Sequence, residues 1–170
     1  MQKNILVIGG NSLIGQEVIK LSNSKGDNVI ATSRSTIDLP LENFILLDPN
    51  EDLSSLDALP DSIDALLYCP GSISLKSIQR MDISDIRKDF RINVEGAFNI
   101  IKKVLPNLKK DEGASVVFIS SVAAKSGMTF HSSIAASKAA LEGFARSLAS
   151  ELAPRVAVNC IAPSLTNTPM

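Results

Sequence analysis

The chain has 170 residues, 45% of them hydrophobic and 21% charged, which is ordinary for one globular domain. Its 17 basic and 18 acidic residues nearly cancel, so charge gives no case for nucleic acid or an anionic membrane as the main partner. Cys69 and Cys160 match no metal or redox spacing, and no metal site is expected. The apolar runs are too short for a membrane span or a signal segment. We therefore expect one soluble, cytoplasmic domain over residues 1–170.

Short apolar runs typical of strands alternate with longer helical patterns along the chain. The predicted strands are Ile5–Ile8, Asn28–Thr32, Phe44–Leu47, Ala65–Cys69, Val116–Ser120 and Val156–Ile161. The predicted helices are Leu13–Lys25, Ser74–Asp89, Ile92–Leu108 and Ser132–Ala153, with a short helix at Leu53–Leu59. Nearly continuous apolar strands joined by helices predict an α/β fold, a Rossmann-type doubly wound parallel sheet in three α/β/α layers.

The first predicted strand runs into a glycine turn that opens the first predicted helix, and its residues are Gly9, Gly10, Asn11, Ser12, Leu13, Ile14 and Gly15. Gly9 can adopt backbone angles closed to other residues, and Gly15 would let the helix pack close to the sheet. Amides at a helix start favour a phosphate. The usual pattern has a middle glycine, but here Ser12 or Leu13 stands where the backbone would approach a diphosphate. The turn predicts a dinucleotide site; a strand-to-helix turn without a ligand is the alternative.

The second predicted strand ends in the sequence Ala-Thr-Ser-Arg-Ser at residues 31–35, without an acidic residue to bind an adenosine ribose. Arg34 stands there instead, and a guanidinium suits a 2′-phosphate. We therefore expect NADP(H) as the cofactor, with NAD(H) as the alternative. An ordinary solvated arginine at a strand end is the other interpretation of this residue.

Ordered motifs fill the second half of the chain, at residues 92–98 (INVEGAF), 117–123 (VFISSVA), 136–141 (ASKAAL), 158–163 (VNCIAP) and 168–170 (TPM). Together they resemble the short-chain dehydrogenase/reductase family along nearly the whole chain. The resemblance implies hydride transfer between a nicotinamide cofactor and a carbonyl or alcohol of a small-molecule substrate. It also implies that Ser121 polarises the substrate oxygen, that Lys138 binds the nicotinamide ribose, and that Asn93 helps to hold a water.

The resemblance breaks at Ile134, four residues before Lys138, where the family places its acid–base tyrosine. Isoleucine can neither donate nor accept a proton, and losing a positioned general acid typically costs about 10²- to 10⁴-fold in rate. His131 and Tyr68 are the candidate substitutes; the alternatives are that His131 caps or precedes the helix and that Tyr68 walls the cofactor pocket. We expect an oxidoreductase with impaired or atypical catalysis. A catalytically inactive dinucleotide-binding sensor or structural subunit is the alternative.

The resemblance assigns further cofactor contacts to Asp48 at the adenine, Gly71 at a ribose and Thr168 at the nicotinamide end. A turn aspartate is an equal interpretation of Asp48, and Asn93 is also consistent with fixing a helix irregularity. Alanines at positions 135, 136, 139 and 140 permit close helix packing, and the family implies a homodimer through this helix and the helix that carries Asn93. Family members usually continue beyond the equivalent of Met170 with a substrate-covering segment, so an open substrate pocket is expected. The sequence does not name the substrate.

Overall fold

Six parallel strands form one sheet in the computed structural model, which describes residues 2–36 and 41–166. Their bounds are β1 (Asn4–Ile8), β2 (Asn28–Ser33), β3 (Asn43–Leu46), β4 (Ala65–Tyr68), β5 (Ala114–Ile119) and β6 (Val156–Ile161). The spatial order is β3-β2-β1-β4-β5-β6, and every neighbouring pair is parallel. The predicted strands are confirmed, with ends that differ by one or two residues at most.

Helices cover both faces of this sheet. Their bounds are α1 (Leu13–Ser24), α2 (Ile83–Phe90), α3 (Gly96–Leu108), α4 (Ala123–Ser126) and α5 (Ser132–Leu152), with 3₁₀ turns at Ser54–Ala58 and Ile78–Arg80. On one face α1 packs onto a cluster that includes Val7 and Val29. On the other face α3 and α5 enclose the larger core. The fold is therefore the predicted three-layer, Rossmann-type α/β/α arrangement, and no helix in its described part is long and apolar enough to cross a membrane.

The helix predicted over Ser74–Asp89 is wrong at its start, because α2 begins only at Ile83. The Asp85 carboxylate accepts the backbone N–H of Asp82 at 3.0 Å, which fixes the helix start there. There is also no break before the next helix, since a π-helical turn at Arg91–Glu95 joins α2 to α3. Within that turn the Asn93 side chain donates to the Asp89 carbonyl at 2.9 Å, where the backbone ladder is irregular. Asn93 does fix a helix irregularity, as one interpretation of the sequence expected.

The strand order reverses between β1 and β4, and this reversal positions the site. In open α/β sheets, ligands bind outside the carboxyl ends of the strands at such a switch point. Ile8 pairs in register with Tyr68, so the loops that follow these two strands lie side by side. The amide of Cys69 donates to the Ile8 carbonyl at 2.9 Å, which carries the pairing one residue past the end of β4.

We expect Gly96→Ala to destabilise the fold, because a Cβ there would overlap the Tyr68 hydroxyl and lie 3.1 Å from the Pro49 side chain. Overpacking of this kind costs about 1–3 kcal/mol in the free energy of unfolding. The matched control is Gly143→Ala in α5, where a Cβ would lie 3.8 Å from the Arg146 side chain, an ordinary van der Waals contact. That change should stabilise the chain by about 0.5–1 kcal/mol, since alanine is the better helix former. Urea unfolding measures both, and equal stabilisation by the two substitutions would contradict the packing described for Gly96.

Candidate functional site

A cavity of about 850 Å³ lies along the carboxyl edge of the sheet, from the glycine turn after β1 to the first turns of α5. Most of the residues predicted to form the site line it: Gly9, Asn11, Ser12, Leu13, Ile14, Arg34, Asp48, Gly71, Ser121 and Lys138. Gly15 and Asn93 are buried behind its wall. Thr168 lies outside the described residues. The structure thus brings residues from five loops and two helices to a single cavity.

The glycine turn presents the start of α1 to this cavity. Gly9 has φ +75°, in the left-handed region that favours glycine. A Cβ on Gly15 would lie 2.9 Å from the Gly9 carbonyl oxygen, so the helix approaches the turn closely, as expected. The Ser12 hydroxyl caps the helix by accepting the Gly15 amide at 3.0 Å. The amides of Leu13 and Ile14 have no preceding helical carbonyl to bind, which suits this end of the cavity to an anion.

One end of the candidate site is formed by the loops after β2 and β3. Arg34 is exposed at the end of β2 and lines the cavity. The Asn11 side chain donates to the Ser35 hydroxyl at 3.4 Å, which links the glycine turn to this loop. Across the cavity, the Asp48 carboxylate accepts the Asn50 amide at 2.9 Å. Asp48 therefore forms its own turn and also faces the cavity, which is consistent with both interpretations of this residue.

Lys138 dominates the other end, where α5 meets β5. Its side chain is buried, and its ammonium donates to the Ile119 carbonyl at 2.7 Å. Burial lowers the pKa of Lys138 from 10.5 to about 8, while the charges of Cys69, Cys160 and Asp89 act in the opposite direction. The site thus holds a cation at neutral pH in surroundings that disfavour it.

Two polar atoms converge on Gly71, in the loop after β4. A Cβ at this position would lie 3.5 Å from Nζ of Lys138 and 3.7 Å from Oδ1 of Asn93. The Asn93 side-chain amide donates to the Asp89 carbonyl and, at 3.2 Å, to the Ser137 hydroxyl. Its Oδ1 is buried and has no hydrogen-bond partner among the residues that the structure describes. A buried acceptor without a donor is costly, and here it fits a polar group of a bound ligand or a water.

Two adjacent serines follow β5, and their hydroxyls have different surroundings. Ser120 donates its proton to the buried Glu142 carboxylate at 2.7 Å. Ser121 is half-buried, and its oxygen accepts the Ala123 amide at 3.2 Å, a contact that leaves its own proton unused. Ser121 can therefore donate a hydrogen bond to a molecule in the cavity.

The wall of the cavity next to Lys138 is apolar at Ile134, which is buried one helical turn before the lysine. The hydroxyl of Tyr68 donates to the Ile92 carbonyl at 2.6 Å, and burial raises the pKa of Tyr68 far above its usual value. Tyr68 therefore walls the cavity with its ring and directs its proton into the helical segment. His131 precedes α5 without capping it, and its Nδ1 lies 2.7 Å from the Thr129 carbonyl.

A buried polar cluster of Asp89, Ser72 and Ser133 lies beside this end of the cavity, and the sequence did not single it out. Asp89 is only 1% exposed. Ser72 donates to one of its carboxylate oxygens, and Ser133 donates to the other at 2.6 Å. The available signal was an aspartate one helical turn before Asn93, on the same face of the helix. The two serines come from distant parts of the chain, so only the fold reveals them as its partners.

The chain belongs to the short-chain dehydrogenase family, because the model of that family matches residues 53–170. It is 30% identical to the 3-oxoacyl-(acyl-carrier-protein) reductase FabG of Buchnera aphidicola over 99% of this chain and 76% of that protein. It is 34% identical to FabG of Aquifex aeolicus over 71% of this chain. It is 32% identical to 2,3-dihydro-2,3-dihydroxybenzoate dehydrogenase of Escherichia coli over 65% of this chain. These last two alignments span 49% and 45% of the relatives' own lengths.

Solved structures of similar proteins share the fold. The ligand-free aldohexose dehydrogenase of Thermoplasma acidophilum superimposes with a TM-score of 0.92 at 25% identity, over 99% of this chain and 68% of that one. A Shigella flexneri protein described as a short-chain dehydrogenase and complexed with NADP gives a TM-score of 0.90 at 26% identity, over 99% and 79%. The fold and the oxidoreductase family predicted from the sequence are confirmed by these matches.

We expect Lys138→Met to raise the free energy of unfolding at pH 7. Lowering the pKa from 10.5 to about 8 means that the buried charge costs up to roughly 3 kcal/mol below pH 8. This cost fades as the pH rises from about 8 towards 10.5, where the unfolded chain also loses the proton. The gain should therefore shrink with rising pH, and the lost hydrogen bond to Ile119 offsets part of it.

Urea unfolding of both proteins at about pH 7 and about pH 9.5 measures this difference. The matched control is Lys125→Met, since Lys125 is exposed on α4 and its removal should leave stability nearly unchanged. A Lys138→Met variant that is equally destabilised at both pH values would contradict the electrostatic cost described here.

Proposed function

We propose that this chain binds NADP(H) along the carboxyl edge of its sheet and transfers hydride slowly between that cofactor and a carbonyl or alcohol of a small molecule. The observation that carries the proposal is the single cavity that joins the start of α1, Arg34, Ser121 and Lys138. Behind the cavity wall, Oδ1 of Asn93 has no hydrogen-bond partner among the described residues, which fits a bound water beside such a cofactor.

The chain's own residues divide the work between the two ends of the cavity. The first amides of α1 hold a diphosphate, and Arg34 pairs with a 2′-phosphate as NADP(H) requires. Lys138 donates to the nicotinamide ribose, which Gly71 allows to approach. A nicotinamide bound there supplies or accepts the hydride. Ser121 donates a hydrogen bond to the substrate oxygen and stabilises the charge that develops on it as hydride adds to the carbonyl carbon; a water supplies the proton that completes the alcohol.

The second candidate is an NADP(H)-binding sensor without catalysis. The observation in its favour is Ile134, which lies in the wall of the cavity where the family resemblance places a proton donor. Tyr68, the chain's single tyrosine, directs its hydroxyl away from the cavity and does not replace that donor. A structural subunit without a ligand is the third candidate, and tight cofactor binding would exclude it.

We further propose a cytoplasmic homodimer that pairs α3 and α5 with their copies. Phe98 is 50% exposed on α3, and Ala136 is exposed on α5, so a large and a small side chain are available for such packing. Both cysteines are free thiols, which suits a reducing compartment. Sedimentation velocity measures the oligomeric state, and a monomer at micromolar concentration would refute the dimer.

Arg34→Ala should weaken NADPH binding by about 10- to 100-fold, because it removes a charge-assisted pair with the 2′-phosphate. NADH lacks that phosphate, so its affinity should change by less than about twofold. Isothermal titration calorimetry measures both affinities. Arg155→Ala is the matched control, since Arg155 is exposed next to the start of β6, at the opposite edge of the sheet. Unchanged NADPH affinity in Arg34→Ala, or a wild type that prefers NADH, would refute the NADP assignment.

Ile134→Tyr should raise the rate of carbonyl reduction by about 10²- to 10⁴-fold if the site lacks only its proton donor. Ile134→Phe is the matched control, since it adds the ring without the hydroxyl and should give no gain. The assay is single-turnover oxidation of NADPH with ketones, aldehydes and a 3-oxoacyl compound. The last is included because two relatives are 3-oxoacyl-(acyl-carrier-protein) reductases. Wild-type turnover should exceed that of Ser121→Ala. If Ile134→Tyr binds NADPH but gains no rate, the sensor function is the better description.

A further inference from the structure

We propose that Asp89 is a positioning residue for the nicotinamide end of the cavity. Its carboxylate ties the loop after β4 to the first turn of α5, on the helix that carries Lys138. This inference rests on the proposed cofactor site and assigns a role to the buried polar cluster of Asp89, Ser72 and Ser133.

The carboxylate of Asp89 joins three elements. Asp89 lies near the end of α2, Ser72 lies in the cavity-lining loop after β4, and Ser133 lies in the first turn of α5. Each serine hydroxyl donates to a different carboxylate oxygen. The backbone carbonyl of Asp89 also accepts the side-chain amide of Asn93, so the same residue holds the π-helical turn.

Packing alone does not require a charge at this position. Burying a carboxylate is expensive unless hydrogen bonds compensate, and apolar side chains of similar size often join buried elements at lower cost. Two hydroxyl donors satisfy Asp89 here, but they remove no charge. A strained or costly ionisable group beside a ligand cavity is characteristic of functional sites.

The charge of Asp89 favours the ammonium form of Lys138, although burial is the larger effect on the pKa of this lysine. Three groups that can become negative act on this lysine: Cys69 after β4, Cys160 on β6 and Asp89 on α2. Burial raises the pKa of Cys69 to about 11, and burial also raises that of Cys160. Both thiols are therefore neutral near pH 7. The Asp89 carboxylate is the one of the three that opposes the loss of the lysine's proton.

The hydrogen bonds of Asp89 fix both walls of one end of the cavity. Ser72 follows Gly71, whose backbone approaches Lys138 and Asn93. Ser133 precedes Ile134 in α5 and lies about one and a half turns before Lys138. The glycine turn and Arg34, which form the adenosine end, make no hydrogen bond to Asp89 in the described structure. Loss of the carboxylate should therefore affect the two ends differently.

Calorimetric titration of Asp89→Asn with two probes tests this difference. NADPH spans the whole cavity, whereas 2′,5′-ADP carries only the adenosine half with its 2′-phosphate. We expect the affinity for NADPH to fall by about tenfold, because amide and carboxylate differ in charge and in acceptors. The affinity for 2′,5′-ADP should stay within about twofold. The NADPH affinity of the variant should also fall at a lower pH than that of the wild type, since Lys138 loses its proton earlier.

Two further variants complete the test. Glu95→Gln removes a charge from an exposed position on the same helical segment and should leave both affinities unchanged. Ser72→Ala keeps the carboxylate and removes one donor, and it should weaken NADPH alone by a smaller factor; it carries the test if Asp89→Asn does not fold in a thermal melt. Unchanged NADPH binding in the Asp89 and Ser72 variants, or an equal loss for both probes, overturns the role of Asp89. A wild type that binds neither probe overturns the proposed function itself and, with it, this inference.

Discussion

Parallel pairing of β1 with β4 is the constraint from which the site follows. From β1 the chain continues to β2 on one side, and from β4 it continues to β5 on the other side. The carboxyl ends of β1 and β4 therefore border a crevice between the two connections. Register fixes the detail: Ile8 lies opposite Tyr68, so the glycine turn and the loop that begins at Cys69 run side by side. A Cβ on Gly9 would lie 3.0 Å from the Pro70 ring, which leaves little room for another residue at that turn. The start of α1 and the loop that faces Lys138 are thereby held in one cavity.

The two ends of that cavity use different physics. The end at the start of α1 has a capped helix start and an exposed arginine, and it favours negative charge at little cost to the fold. The end at Lys138 is built from buried polar side chains, and Lys138 alone costs up to roughly 3 kcal/mol at neutral pH. Asp89 and Asn93 form hydrogen bonds to Ser133 and Ser137 that tie α2 and its π-helical turn to α5, the helix that carries this lysine. Ile134 makes the cavity wall apolar next to this polar network.

The sequence predicted strands and helices correctly where the spacing of apolar residues matched the side-chain burial of the folded element. All six strands were predicted because their apolar runs are nearly continuous, as expected of strands covered on both faces. The segment before α2 was misassigned because its apolar residues suit a helix, while the start of α2 is set by the side-chain contact between Asp82 and Asp85. The position of the π-helical turn could not be predicted from the sequence, although one interpretation of Asn93 was that it fixes a helix irregularity. Its cause is a side-chain bond to the Asp89 carbonyl that competes with the helical ladder.

By itself the sequence determined the fold class, the glycine turn, the arginine after β2 and the absence of a tyrosine four residues before Lys138, because each depends on residues close together in the chain. Tertiary structure alone decided which groups Lys138 meets, where the Tyr68 hydroxyl points and that Asp89 is buried between Ser72 and Ser133. The two serine contacts of Asp89, for example, join residues 17 and 44 positions apart. Their energies depend on desolvation and on hydrogen-bond geometry, and neither exists until the strands and helices have packed.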